Sequence, residues 1–232
     1  MRAPPPGPGR PAAVIFDMDG LMLDTEGLAA RAWTDAAARL GVAFDAAVTP
    51  RLVGRNAADC RALIRAHHGD DYPIADLERA WLAAYDAIVE RDGVALKPGL
   101  LALLAWLEDA GIPKAVATST RRARAQAKLV GTGLHERFAA LVGGDEVAHG
   151  KPAPDIYVAA ACRLRVAPAA CLALEDSEPG IDAALAAGMA AIMVPDRAPP
   201  SSALLARGTP VLASLRDVHA HLAALPAQAR VR

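Results

Sequence analysis

Lysine is scarce in this sequence, and the net charge is close to zero. The 25 basic residues include only four lysines, and the formal net charge is −1. A chain without an excess of positive charge has no extended field to attract nucleic acid or an anionic membrane surface, so we expect neither as a partner. Because the other basic residues are arginine, each lysine is a candidate for a specific role. The lysines are Lys97, Lys114, Lys128 and Lys151.

Cysteine is rare as well, and no long apolar run is present. The chain has three cysteines, Cys60, Cys162 and Cys171, and they are widely spaced. An odd and dispersed set of cysteines argues against a disulfide framework and favours a reducing cytoplasm. The longest uncharged run, 183–195, is interrupted by a glycine and is too short to cross a bilayer. Residues 1–10 are rich in proline and glycine and lack the apolar segment of a signal peptide, so they predict a flexible leader. No feature indicates an obligate protein partner.

The 232 residues are 53% hydrophobic, which is enough for one sizeable core and a smaller second module. Short apolar runs alternate with helical patterns, as in a parallel sheet covered by helices on both faces. The sequence therefore predicts a three-layer α/β core. The predicted strands are 13–16, 115–118, 140–142, 171–174 and 190–194, with 211–213 as a weaker candidate. The predicted helices are 100–110, 122–130, 154–164, 180–187 and 215–222.

One stretch, residues 27–94, breaks this alternation. It has helical periodicity without a convincing strand, which predicts an inserted α-helical module between the core segments 11–26 and 95–232. Trp33 and Trp81 lie in this stretch at helical spacing, and we interpret both as packing residues between its helices.

Two acids follow the first predicted strand. Asp17 and Asp19 are two residues apart, so in an extended backbone both carboxylates project to the same side and can address one reacting atom. One acid can attack while the other moves a proton. Gly20 next to them lets the backbone approach a phosphate closely. The alternative is a solvated Asp-Gly turn.

Three further groups of polar residues follow predicted strands, at the edge where an open parallel sheet binds ligands. Thr118 and Ser119 can hold an oxyanion, or they simply cap the next helix. Lys151 can pair with a phosphoryl group and a carboxylate, or it is an ordinary surface lysine. Glu175 and Asp176 are hard oxygen ligands suited to Mg²⁺, or they only stabilise a helix N-terminus. Four such groups in this order are improbable by accident, which favours a shared site.

The motifs "DMDGLMLDTE", "ATST", "GKPAPDIY" and "EDSEPGIDAA" together resemble the haloacid dehalogenase superfamily, in its phosphatase and β-phosphoglucomutase-like group. The resemblance covers residues 12–224 and implies a Rossmann-like core with a helical cap inserted after the first motif. It implies that Asp17 is the nucleophile that forms an aspartyl-phosphate and that Asp19 protonates the leaving oxygen and then activates water. It also implies a Mg²⁺ site and a grip on the phosphoryl group. The implied metal site consists of Asp17, the Asp19 backbone carbonyl, Asp176 and Glu175, and the implied phosphoryl contacts are Lys151, Thr118, Ser119 and Gly20.

The same resemblance separates several activities. The dehalogenases lack an acid at the position of Asp19, and the phosphonate hydrolases use a cap lysine, whereas no lysine precedes Lys97 here. The mutases have an arginine at the position of Ala57 and also use a cap lysine, although Arg55 could reach the same phosphate. We therefore expect a cytoplasmic Mg²⁺-dependent phosphatase of a small phosphorylated metabolite, such as a sugar or sugar-alcohol phosphate. A mutase and a catalytically silent binding protein are the alternatives.

The cap should close over the substrate about hinges near 24–27 and 94–98 and select the leaving group. Arg55 and Asn56 are the candidate substrate contacts in the cap, with ordinary solvation of a helix surface as the alternative.

Overall fold

The computed structural model describes residues 9–52 and 57–226 of the chain. A five-stranded, wholly parallel sheet forms its centre, with strand order β3-β2-β1-β4-β5. The predicted α/β core is confirmed, since short, buried apolar runs alternate with helices as a parallel sheet requires. The strands are β1 Ala13–Phe16, β2 Lys114–Ala117, β3 Ala140–Val142, β4 Cys171–Glu175 and β5 Ala190–Met193.

Nine α-helices occur in the described ranges, and three of them interrupt the alternation of strand and helix. These three, α1 to α3, follow β1 directly, whereas α4 to α9 belong to the layers around the sheet. The helices are α1 Glu26–Leu40, α2 Ala57–His68, α3 Ile74–Asp92, α4 Leu100–Asp109, α5 Arg122–Gly131, α6 Asp155–Leu164, α7 Glu178–Ala186, α8 Ser202–Ala206 and α9 Leu215–Ala224. Short 3₁₀ helices span Ala46–Arg51, His135–Arg137, Gly144–Glu146 and Pro168–Ala170.

The two faces of the sheet pack against different helices because side chains alternate along each strand. On β1, Val14 and Phe16 face the cluster formed with α4, α5 and α9, while Ala13 and Ile15 face the cluster formed with α6, α7 and α8. The second face carries mainly alanines from the strands, which leaves space for the fully buried ring of Tyr157 on α6.

Helices α1 to α3 form apolar clusters of their own, separate from those of the sheet. Trp33 stacks on Trp81 with 5.1 Å between ring centroids, and both belong to one of these clusters, as the packing interpretation predicts. The two chain segments that join this helical unit to the core pair with each other. Asp24 N donates to Ala95 O and Lys97 N donates to Met22 O, each at 2.9 Å. Any movement of helices α1 to α3 relative to the core therefore involves both connecting segments, because these are hydrogen-bonded to each other.

The weaker strand prediction at 211–213 is wrong. Val211 forms a single parallel bridge to Met193, flanked by backbone bonds from Met193 N to Pro210 O and from Leu212 N to Met193 O. Pro210 has no N–H to extend this ladder, so the segment remains a bridge at the edge of the sheet. Helix α8 was not predicted.

Two predictions concern the chain's first residues and the membrane. Residues 1–8 of the predicted leader lie outside the described residues, while Arg10 N donates to Pro226 O at 3.2 Å. Among the described residues, every helix is too short or too polar to span a bilayer.

Candidate active site

The ends of β1, β2 and β4 and the loop before α6 bring the predicted polar residues to one edge of the sheet. Lys151 is the centre of this arrangement and is only 2% exposed. Its ammonium donates to Asp17 Oδ1 and Glu175 Oε1, each at 2.6 Å, and to Ala117 O at 3.2 Å. These contacts join three neighbouring strands through one side chain, which a surface lysine would not do.

The charge of Lys151 is secured by its partners. Burial alone would lower the pKa of its ammonium, but Asp17 and Glu175 more than offset this and raise the pKa above its ordinary value. The same burial raises the pKa of Asp17 to about 8, and the positive charge of Lys151 opposes this effect without cancelling it. Asp17 therefore lies in a site with too little positive charge for its carboxylate.

Glu175 is fully buried, and both of its carboxylate oxygens accept hydrogen bonds. Oε1 accepts from Lys151 and from the Tyr157 hydroxyl, each at 2.6 Å. Oε2 accepts from Asp176 N, Ser177 N and the Ser177 hydroxyl at 3.1, 3.3 and 3.0 Å. A methyl group on Gly180 would approach the Glu175 carboxyl to 1.9 Å, so only glycine fits at that position of α7. This carboxylate is locked in place by the structure around it.

Asp176 differs from Glu175 because one of its oxygens has no hydrogen-bond partner in the part of the chain that the structure describes. Oδ2 is buried and accepts no hydrogen bond from the described residues. Burial, followed by the charges of Asp17 and Glu175, raises the pKa of Asp176 well above its ordinary value. One carboxylate oxygen from each of these three residues lies within 4.8 Å of the others. A buried anion without a donor, facing two more carboxylates, fits a divalent cation.

Gly20 contributes to this acidic cluster in a way that the sequence did not indicate. Its φ is +85°, and an added Cβ would lie 2.2 Å from Asp176 Oδ2. Glycine at position 20 therefore makes room for the Asp176 carboxylate, in addition to allowing the left-handed backbone of the turn. The predicted role of Gly20, a close approach of its backbone to a phosphate, stays a prediction.

Asp19 is held by three side chains. Oδ1 accepts from the Thr25 hydroxyl at 2.8 Å and from Lys128 Nζ at 2.6 Å, and Oδ2 accepts from the Thr120 hydroxyl at 2.7 Å. Burial raises the pKa of Asp19, but the charge of Lys128 together with these hydrogen bonds outweighs burial, and the pKa falls below its ordinary value. Asp19 is thus a fixed carboxylate with charge compensation of its own.

Thr118 and Ser119 lie directly after β2, next to the end of β1. Thr118 is 1% exposed, and its hydroxyl accepts a hydrogen bond from Thr120 N at 3.1 Å. Ser119 is fitted closely against Gly144, because a Cβ at position 144 would lie 2.3 Å from Ser119 O. Helix α5 begins at Arg122, as predicted. The two hydroxyl-bearing residues are therefore in a tight turn at the same edge as Asp17.

Sequence reasoning missed Thr25, Thr120, Lys128 and Tyr157. Lys128 had one available signal, since it is one of only four lysines. Thr25, Thr120 and Tyr157 lie within the quoted motifs "DMDGLMLDTE", "ATST" and "GKPAPDIY", but the sequence did not show which acid each of them contacts. The cap candidates Arg55 and Asn56 lie outside the described residues.

Comparison with known proteins finds a matching family model and similar proteins. The family model for haloacid dehalogenase-like hydrolases matches residues 11–188. The chain is 36% identical over 186 residues to the fructose-1-phosphate phosphatase YqaB of Escherichia coli (strain K12), which covers 80% of this chain and 97% of that protein. It is 31% identical over 216 residues, 93% of its length, to the bifunctional riboflavin kinase/FMN phosphatase of Arabidopsis thaliana, of which it spans 56%.

A similar fold occurs in a crystal structure of a putative β-phosphoglucomutase from Thermotoga maritima. The TM-score is 0.74 at 29% identity, over 92% of this chain and 99% of that one.

Proposed function

This chain belongs to the haloacid dehalogenase-like hydrolases, and on that basis we propose that it is a Mg²⁺-dependent phosphatase of a small phosphorylated metabolite, with Asp17 as nucleophile. The observation that carries the proposal is the convergence of Lys151, Asp17 and the unpartnered Asp176 oxygen at the edge of the sheet. An anionic phosphate ester can enter beside carboxylates only where positive charge offsets the repulsion. Lys151 supplies part of that charge.

The reaction has two half-reactions. In the first, an Asp17 oxygen forms a bond to phosphorus and the bond between phosphorus and the ester oxygen breaks. Asp19 gives a proton to the leaving oxygen, so it must carry that proton when the substrate is bound, although Lys128 favours its ionised form. In the second, Asp19 takes a proton from water while the water oxygen attacks phosphorus, and the bond from phosphorus to Asp17 breaks to release inorganic phosphate. Thr118 and Ser119 lie at the adjacent strand end and would hold phosphoryl oxygens during both transfers.

Asp17, Asp176 and the backbone carbonyl of Asp19 would hold the metal ion. Bound Mg²⁺ would neutralise charge on the phosphoryl oxygens and on the nucleophile. Glu175 fits a different role from direct ligation, because its two oxygens already accept five hydrogen bonds. We propose that Glu175 orients Lys151 and the turn that carries Asp176.

The experiment is hydrolysis of p-nitrophenyl phosphate with and without Mg²⁺, comparing the wild-type protein with Asp17→Asn. We expect Mg²⁺-dependent turnover in the wild type and none in the variant, and only the wild type should gain the mass of a phosphoryl group after acid quenching. Circular dichroism of the variant serves as the folding control. Steady hydrolysis by folded Asp17→Asn would overturn the assignment of the nucleophile.

A sugar or sugar-alcohol phosphate is the substrate class that the relatives support, given the fructose-1-phosphate phosphatase name of one of them. Release of inorganic phosphate from a panel of sugar, sugar-alcohol and nucleotide phosphates would identify the best substrate. The contribution of Arg55 and Asn56 to that choice stays a prediction. Conversion of β-glucose 1-phosphate to glucose 6-phosphate without net release of phosphate would show that the protein is a mutase and not a phosphatase.

A further inference from the structure

We propose that Lys128 is a positioning residue that holds the Asp19 carboxylate for proton transfer to the leaving group. The inference rests on the proposed function, and it adds a residue from helix α5 that none of the four site motifs contains. Lys128 also contacts the cap, so the orientation of the acid depends on a side chain that both parts of the molecule hold.

The contact between the two side chains is close and mostly shielded from solvent. Lys128 Nζ lies 2.6 Å from Asp19 Oδ1, and the side chains are 12% and 21% exposed. Salt and water screen a partly buried pair much less than an exposed one. A hydrogen bond between charged groups is also stronger than one from a neutral hydroxyl. Lys128 is therefore the strongest of the three donors that hold Asp19.

The donors leave a defined part of the carboxylate open. A carboxylate has about four acceptor positions. Thr25 and Lys128 share Oδ1, whereas Oδ2 accepts from Thr120 among the described residues. Oδ2 therefore has an acceptor position to spare, whereas Oδ1 is occupied by two donors. Loss of Lys128 would leave two neutral hydroxyl donors, one on each oxygen, so the carboxyl group would be held more weakly than with the charged donor.

Lys128 is held in turn by the cap helix α3. Its ammonium lies 5.1 Å from the centroid of the Tyr85 ring, within the range of a cation–π contact. Arg124 is one turn earlier on α5 and lies over the same ring at 5.6 Å. The ion pair of Arg124 is with Asp86 of the cap, at 2.6 Å. Arg124 thus shares the contact with the cap but is paired with a different acid, which makes it a matched control.

The role of a proton donor depends on the leaving group. When the bond between phosphorus and an alkyl ester oxygen breaks, that oxygen becomes a strongly basic alkoxide unless Asp19 gives it a proton. A nitrophenolate oxygen is a stable anion and needs little help. Misplacing Asp19 should therefore slow the release of an alkyl alcohol far more than the release of nitrophenol. A general loss of structure would slow both reactions equally.

The experiment compares kcat/KM for p-nitrophenyl phosphate and for the best alkyl phosphate, because kcat/KM reports the steps up to departure of the leaving group. For Lys128→Met we expect the alkyl reaction to fall by at least about tenfold more than the aryl reaction. Lys128→Arg keeps a cation and should recover part of the difference. Arg124→Met should leave the ratio of the two rates within about twofold of the wild-type ratio.

Equal losses for both esters, or no loss, would overturn the positioning role of Lys128. If Lys128→Met fails to fold, the ratio of the alkyl to the aryl rate is measured for Lys128→Arg instead. A guanidinium places its donors differently on Asp19, so this ratio should change. A ratio equal to that of the wild type would then overturn the positioning role of Lys128. A failure of the proposed function looks different, because the wild type would then hydrolyse neither ester.

Discussion

Replacement of Tyr157 by phenylalanine tests whether the Glu175 network stabilises the site as the contacts indicate. The Tyr157 hydroxyl donates to Glu175 Oε1 at 2.6 Å, and both residues are fully buried. Burial, reinforced by the charge of Glu175, raises the pKa of Tyr157 well above its ordinary value, so the hydroxyl remains a donor. Tyr157→Phe removes this one donor and keeps the ring, which packs from α6 against the sheet.

The magnitude follows from the type of hydrogen bond. A bond to a charged acceptor contributes about 1.5–3 kcal/mol to stability, and Glu175 Oε1 would still accept from Lys151, so no oxygen is left without a donor. We therefore expect Tyr157→Phe to lower the free energy of unfolding by about 1.5–3 kcal/mol. In a chain of this size each 1 kcal/mol lowers the melting temperature by roughly 2–4 °C.

The assay is urea denaturation followed by circular dichroism at pH 7, with Tyr72→Phe as the matched control. The Tyr72 hydroxyl donates to Ala43 O at 2.8 Å in an exposed position, so its loss should cost no more than about 1 kcal/mol. A loss below about 0.5 kcal/mol for Tyr157→Phe, or a loss equal to that of Tyr72→Phe, would refute the reasoning that this hydrogen bond supports a buried charge network.

Two further predictions concern charge. Asp176→Asn removes a buried carboxyl group whose ionisation is opposed by burial, Asp17 and Glu175, and whose Oδ2 has no donor among the described residues. At pH 7 the wild type must either keep this charge or take up a proton, so the metal-free variant should be more stable by about 1 kcal/mol or more. Millimolar Mg²⁺ should raise the melting temperature of the wild type only, and equal shifts in both proteins would contradict the metal site. The Arg137 hydrogen bond, together with Lys114, lowers the pKa of Glu108 from 4.5 to about 2, so its stabilising effect is present above pH 4.5 and is lost as the pH falls towards 2. Because Glu108 is exposed, Glu108→Gln should destabilise the protein at pH 7 by no more than about 1 kcal/mol, and near pH 2 the variant should be as stable as the wild type. The measurement is the denaturation midpoint of both proteins between pH 2 and pH 7. A constant difference between the midpoints over this pH range would be inconsistent with the lowered pKa of Glu108.

Local patterns were sufficient for the strands of the core, although not for helix α8. The five central strands are short apolar runs between turn residues, and the structure has a strand at each of those positions. The failures have local physical causes that a pattern of apolar residues does not carry. The segment 211–213 is apolar enough for a strand, yet it makes one bridge beside Pro210. Helix α7 begins two residues earlier than predicted because Ser177 caps it and Pro179 fits its first turn.

The acids and the lysine of the four motifs were visible in the sequence because each follows an apolar run, and parallel strands bring their carboxyl ends to one edge. Their partners were not visible. Tyr157 meets Glu175 from α6, and Lys128 meets Asp19 from α5, across 109 residues of chain. The sequence of a helix does not indicate which side chain of another element a given helical residue will contact.

The amino-acid order by itself therefore determined which elements form and which residues end at the reactive edge, because those depend on neighbours along the chain. The tertiary structure alone decided which carboxylate is compensated and which is left without a donor. Glu175 and Asp176 are adjacent in sequence, yet one accepts five hydrogen bonds and the other keeps a buried oxygen without a partner among the described residues. Both residues are buried, so the positions of their carboxyl groups relative to Lys151 and the other donors set that difference, and those positions are properties of the packed molecule.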